Sequence, residues 1–199
     1  MSQQITSISW SHHQTPLNLR DKLVLSITET QECSRLSINN HQIIELVALS
    51  TCNRIEFYAF ADSSVDILIH IKNLYTNVLK RDIPWHQSSP EINTGMEVVW
   101  HLCRVAAGME SMVLGESQIL SQVKAARQAM IQNQRVTDVL SKIFDDAIHC
   151  AETVRNDIPI LSSSISISQL AVRTAEKVFE NLEKCRVLLI GAGETAELT

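Results

Sequence analysis

The segment Ser50-Thr51-Cys52-Asn53-Arg54 sets a thiol and a guanidinium into one short polar connection between two apolar runs. A thiolate, not a thiol, attacks an acyl carbon, and nearby positive charge favours the thiolate. A free cysteine titrates at roughly 8.5 and is only a few per cent ionised at neutral pH, so modest electrostatic help changes its reactivity. The competing reading makes Cys52 a small buried hydrophobe, as free cysteines commonly are. His101 is the second chemical candidate. It lies in the amphipathic stretch Met96–Ala107, where a histidine is either a satisfied structural group or a proton carrier near neutrality. A metal site is not expected. One intervening residue puts His101 and Cys103 on different helix faces, and the cysteines at 33, 52, 103, 150 and 185 contain no Cys-x-x-Cys pair.

The flanks of Cys52 explain how such a loop would be held. Ile43–Leu49 and Ile55–Phe60 are rich in β-branched, aromatic and aliphatic residues and read as paired strands. Ile5–Trp10 reads as a first strand, closed off by Thr15-Pro16. A helix is expected over Glu29–Ile38, a turn at Asn39-Asn40, and a second helix over Val65–Leu79, where Ile67, Ile69, Ile71, Leu74 and Val78 are read at helical spacing. Short strands mixed with helices suggest an α+β domain. From about residue 95 the pattern is helical, and Val136, Val139, Leu140, Ile143, Phe144, Ala147, Ile148 and Ala151 trace one apolar face, read as core alone. Asn156-Asp157-Ile158-Pro159 should stop that helix, and Ser162-Ser163-Ser164 offers a cap for another reaching about Leu182. A domain boundary is placed near residue 160, dividing 1–160 from 161–199. Beyond it, Cys185–Ile190 reads as a buried strand running into Gly191-Ala192-Gly193-Glu194-Thr195-Ala196. A glycine turn after a strand is the opening of a Rossmann-like α/β fold, in which backbone N–H groups receive a pyrophosphate.

The chain has 199 residues, 45% hydrophobic and 20% charged, the make-up of a globular protein. Its first residues lack the basic start and apolar core of a secretory signal, and no long apolar span is visible, so a cytoplasmic protein without membrane contact is expected. An odd number of cysteines argues against a disulfide framework. The net charge of -5 has the wrong sign for gripping nucleic acid through a generally basic surface. An RNA partner would have to be held by local patches, of which Lys124, Arg127 and Arg135, or Lys72, Lys80 and Arg81, are the candidates.

Four separated blocks, Trp10–Asp21, Ser50–Arg54, His101–Gln122 and Gly191–Ala196, resemble glutamyl-tRNA reductase in the right order and over essentially the whole chain. The resemblance implies an NADPH-dependent oxidoreductase. In that family a cysteine captures glutamate from glutamyl-tRNA(Glu) as a thioester, and reduction releases glutamate 1-semialdehyde, the first step of tetrapyrrole (porphyrin and heme) synthesis. Carried over, Cys52 is the nucleophile and His101 a group beside it. Arg54 pairs with the substrate carboxylate. Thr51, Asn53, Ser111, Glu116, Ser117, Gln118 and Gln122 contact substrate, and Gly191, Ala192, Gly193, Glu194, Thr195 and Ala196 bind NADPH. Ser117 departs from the proline common there and relaxes the backbone. His12 and His13 read as scaffold beside the site. The resemblance further implies a homodimer and hand-over of the aldehyde to glutamate-1-semialdehyde aminotransferase. The fragment itself should lack most of the hydride-donor domain. Two rivals remain: an unrelated Rossmann dehydrogenase with an inert Cys52, and a non-catalytic tRNA-binding or regulatory module.

Overall fold

Side chains alternate across a strand, so a sheet covered on both sides must find apolar partners for odd and even positions alike. The computed structural model describes residues 2–38, 42–133, 138–158, 167–179, 181–188 and 190–191. Four strands, β1 (Gln3–Ser11), β2 (Ile43–Ser50), β3 (Arg54–Asp62) and β4 (Glu91–Thr94), form a sheet in the order β2-β3-β1-β4. Every pairing is antiparallel. Around it stand α1 (Leu17–Leu23), α2 (Ile27–Ile38), α3 (Ile67–Asn73), α4 (Met96–Ala107), α5 (Gln118–Asn133) and α6 (Asp138–Asp157), and a largely exposed α7 (Ile167–Val178) follows in the chain.

On one face Ile8, Trp10, Phe57 and Ala59 pack with Leu19 and Leu23 of α1, Cys33 of α2, Ile71 of α3 and Tyr75. On the other, Val47, Leu49 and Tyr58 meet Val98, Leu102 and Val105 of α4, Val123 of α5, and Leu140, Phe144, Ala147 and Ala151 of α6. Tyr58 and Phe144 meet edge to face at 5.3 Å between centroids, joining sheet to α6. Glu45 follows a register shift in β2 and is fully buried; its carboxylate accepts the Leu140 N–H at 2.7 Å and so satisfies an orphan donor in the first turn of α6.

The expected α+β layout is present, with corrections. β1 and α2 start earlier than expected, and β4 was not foreseen because Glu91-Ile92-Asn93-Thr94 is a short, mostly exposed edge. The Val65–Leu79 helix is α3 followed by a wide π-turn at Leu74–Val78. The helical run after residue 95 breaks between Gly108 and Ser117, beginning at the left-handed Gly108 that ends α4. α7 stops at Val178, with one 3-10 turn at Leu182–Lys184. The strand expected over 185–190 is not formed at Cys185–Leu188, and Val187, Leu188 and Ile190 are 77%, 83% and 90% exposed. A parallel strand takes its hydrogen bonds and burial from neighbouring strands, and among the described residues none lies beside this one. The turn at Asn39-Asn40, Val136, Pro159, the Ser162–Ser164 cap, the boundary near 160 and Ala192–Ala196 lie outside the described residues. Among those described, no helix is long and apolar enough to cross a membrane.

Candidate active site around Cys52

The β2–β3 connection is built by Thr51. Its N–H donates to Arg54 O at 2.9 Å, and its Oγ1 accepts the N–H groups of Asn53 and Arg54, both at 3.1 Å. This side-chain turn leaves Cys52 exposed at the tip. Arg20 of α1 clamps the tip from outside, donating from Nη1 to Cys52 O at 3.0 Å and Asn53 Oδ1 at 3.3 Å, and from Nε to Thr15 O at 3.2 Å. The His12 N–H donates to Asn53 O at 2.9 Å, the scaffold position expected of the His12-His13 pair.

Period-two alternation puts Arg54, Glu56 and Tyr58 on the face of β3 that lies under α4. Ser11, Ser9 and Ser7 of β1 stand opposite them. Arg54, Glu56 and His101 are 2%, 0% and 3% exposed. Glu56 Oε1 accepts from Arg54 Nη1 at 2.7 Å and Ser9 Oγ at 2.9 Å and lies 3.1 Å from His101 Nε2; Oε2 accepts from Tyr58 OH at 2.5 Å. Burial works to raise the Glu56 pKa, but the His101 hydrogen bond and charge, Arg54 and Tyr58 outweigh it and hold it at about 2. For His101, burial lowers the pKa, and Glu56 more than reverses that, leaving it raised. The remaining ring nitrogen, Nδ1, has no hydrogen-bond partner and lies 3.9 Å from Glu91 Oε1.

Two sequence expectations change here. Arg54 turns inward, giving Nη1 to Glu56 and Nη2 to the Glu110 carbonyl, rather than standing open beside the thiol. Nor is the Cys52 thiol depressed: although the residue is exposed, partial desolvation of the thiol and then the Glu116 carboxylate push its pKa up, against smaller opposing pulls from its own backbone N–H and from Arg20. The reason is engagement, since both ends of the Arg54 guanidinium are taken by Glu56 and the Glu110 carbonyl, and the Glu116 carboxylate is the stronger charge acting on the thiol. Glu116 itself is raised by burial, with Arg54 acting against the rise.

The loop between α4 and α5 brings Glu110, Ser111 and Glu116 to this end of the sheet. The Glu110 carboxylate accepts from Arg104 Nε at 2.9 Å and lies 3.8 Å from His13 Nε2. Ser111 is half-buried, Ser117 is exposed immediately before α5, where serine suits a helix start, and Gln118 opens α5. Gln122, one turn on, lines a cavity of about 310 Å³ with Leu25, Ser50, Val47 and Met130, along the free edge of β2. Thus Thr51, Cys52, Asn53, Arg54, His101 and Glu116 form one constellation, and Gln122 stands in the adjoining cavity. Of the residues expected to bind a nucleotide, Gly191 alone is described, and among the described residues nothing lies within 4 Å of where its Cβ would be.

Glu56, Ser9, Tyr58 and Arg20 were missed in the sequence. The signal for the first was present, as Arg54-x-Glu56-x-Tyr58 is a polar stripe inside an otherwise apolar strand. Arg20 carried none, because its partners are carbonyls. The basic patches are largely engaged: Lys124 pairs with Glu152 at 2.6 Å, Arg127 with Asp145 at 2.8 Å, Arg81 with Glu29 at 2.5 Å, and Lys72 lies over Trp85. Arg135 lies outside the described residues. The cysteines at 33, 103, 150 and 185 read most simply as core residues; Cys33 is, whereas Cys185 is half-buried and Cys103 and Cys150 are half-buried and face one another between α4 and α6, and burial followed by Cys150 pushes the Cys103 thiol up to about 11.

Residues 8–158 match the family described as glutamyl-tRNA(Glu) reductase, N-terminal domain. Among curated relatives, glutamyl-tRNA reductase of Macrococcus caseolyticus is 34% identical over 98% of this chain and 44% of its own length. That of Aquifex aeolicus is 35% identical over 92% of this chain and 44% of its own. The solved glutamyl-tRNA reductase from Methanopyrus kandleri superposes with a TM-score of 0.68 at 28% identity, covering 96% of this chain and 44% of that one. The chain therefore spans less than half the length of these relatives. Because the match runs from within β1 to the end of α6, it takes in the whole Cys52 constellation, and this chain belongs to the glutamyl-tRNA reductase family through its N-terminal domain.

Proposed function

We propose that this chain is the substrate-capturing part of an NADPH-dependent glutamyl-tRNA reductase acting in tetrapyrrole synthesis. The observation that carries the reading is the exposed Cys52 thiol, held by Thr51 and Arg20 at the tip of a loop that lies within the family match. In the proposed step Cys52 Sγ adds to the ester carbonyl of glutamyl-tRNA. The C–S bond forms as the C–O bond to the tRNA breaks, and the thiol proton ends on the departing 3′-terminal hydroxyl. The thioester is then the species to be reduced to glutamate 1-semialdehyde. Arg54 Nη2, now on the Glu110 carbonyl, is the donor that a substrate carboxylate would take over. His101 acts through Glu56, keeping the acceptor side of that arginine ionised and oriented. NADPH enters this reading from the glycine-turn sequence Gly191–Ala196 together with the family resemblance, and it would supply the hydride. Charged tRNA(Glu), a homodimer and the aminotransferase that consumes the aldehyde complete the proposal.

The test is release of glutamate from glutamyl-tRNA by this chain, since an acyl-enzyme without a hydride donor decays to water. Slow release that disappears in Cys52→Ser is expected. Equal release by the two proteins would overturn the reading. Salt-sensitive tRNA binding with no release would move it to a non-catalytic tRNA-binding module.

A further inference from the structure

Arg155 stands on α6, which the sequence reads as core alone, yet its guanidinium closes onto the loop between α4 and α5. Nη1 donates to Gly115 O at 3.3 Å and Nη2 to Glu116 O at 2.5 Å. These two carbonyls belong to the peptide planes on either side of the Glu116 Cα. Holding both planes fixes φ and ψ at Glu116, and with them the direction of its Cα–Cβ bond. The packing at the contact is close. A Cβ on Gly108 would stand 3.0 Å from Arg155 Nη2, 3.0 Å from Glu116 O and 3.1 Å from Glu116 N, and Gly108 has a φ of +79°. The Gly115 N–H closes the loop on Gly108 O at 3.0 Å.

We propose that Arg155 is a positioning residue that aims the Glu116 carboxylate at Cys52 by holding both peptide planes that flank Glu116. The proposal rests on Cys52 being the reacting thiol. Among the described residues, the charges that act on the Cys52 thiol are Glu116, carried by the loop that Arg155 holds, and Arg20, whose Nη1 donates to Cys52 O at 3.0 Å; Arg54 acts in turn on Glu116. A carboxylate so aimed keeps the resting thiol protonated, which limits its reaction with adventitious electrophiles.

The experiment is the pH profile of Cys52 alkylation by iodoacetamide, read on the Cys52 peptide by mass spectrometry, in the wild type, Glu116→Gln, Arg155→Gln and the double variant. A like charge near a partly exposed thiol is worth about half a pH unit. Glu116→Gln should move the profile down by that amount, and Arg155→Gln should move it the same way. The double variant should match Glu116→Gln, and Arg155→Lys, which keeps a donor, should fall between wild type and Arg155→Gln. A profile for Arg155→Gln that superimposes on wild type overturns the proposal, as does a shift of equal size when Arg155→Gln is added to Glu116→Gln. If Arg155→Gln does not fold by circular dichroism, Gly108→Ala takes its place in both backgrounds, because its Cβ forces the same contact apart. A profile shift without glutamate release from glutamyl-tRNA would show that Arg155 sets the charge at Cys52 but would remove the reading of Cys52 as nucleophile, and with it the proposal as stated.

Discussion

At the scale of single residues, the cluster around Glu56 is the most constrained chemistry in the protein. Four groups converge on one buried carboxylate: Arg54, Ser9, Tyr58 and His101. A buried charge is tolerable only when paired, and removing one member costs more than the pair contributes, because the other is left uncompensated. Glu56→Gln should therefore destabilise the protein by about 3–5 kcal/mol in urea unfolding. The same substitution should lower the His101 pKa from above its ordinary 6.5 to below it, since burial and the Arg54 charge then act on the ring against Glu91 alone. An NMR titration of His101 reads this directly, and an unchanged midpoint would remove Glu56 as its cause. The Arg54–Glu56 alternation was legible as polar residues in an apolar strand. The inward turn of Arg54 was not, because sequence spacing carries no information on which face of the sheet α4 covers.

Among the elements, α6 does two jobs at its two ends. Its first turn is capped by Glu45 from β2, its middle packs Phe144 on Tyr58, and its last turn holds the site loop through Arg155. Phe144→Ala should cost about 3–5 kcal/mol, as for other large aromatics removed from a core. Glu45 separates acceptor from charge. Glu45→Ala leaves a buried N–H without its acceptor and should cost about 1–3 kcal/mol. Glu45→Gln keeps an acceptor and sheds a buried charge whose pKa burial already raises, so it should be close to neutral. Equal losses in thermal unfolding for the two variants would show that the charge, not the acceptor, is what α6 needs. The apolar face of α6 was readable from its 3-4 spacing. The polar duties were not, since each partner lies far off in the chain, Glu45 being 95 residues from Leu140.

For the molecule as a whole, the Glu56 and His101 shifts set a window of stability. Glu56 is held at about 2 in the folded state against an ordinary 4.5, so its contribution is complete above about 4.5 and is lost as pH falls toward 2. His101 is raised above 6.5, so its contribution is complete below 6.5 and is lost as pH rises through the folded value. Thermal unfolding temperatures should accordingly peak between about pH 4.5 and 6.5 and fall on both sides; Glu56→Gln should abolish the alkaline fall and leave a loss of stability as pH drops below 6.5, because a buried His101 lowered below that value resists protonation. A profile still rising at pH 8 would contradict the assignment. What the sequence determined by itself was local: the strand pair about Cys52, the first strand, the apolar stripe of α6 and four motif blocks in order. These depend on periodicity and residue type, which neighbours in the chain share. Tertiary structure alone decided that Arg54 serves Glu56 rather than open solvent, that the resting Cys52 thiol is raised rather than depressed, and that Arg155 reaches the loop beside it. Each of those is set by groups brought together across the sheet, where burial and direction rather than proximity in sequence determine charge.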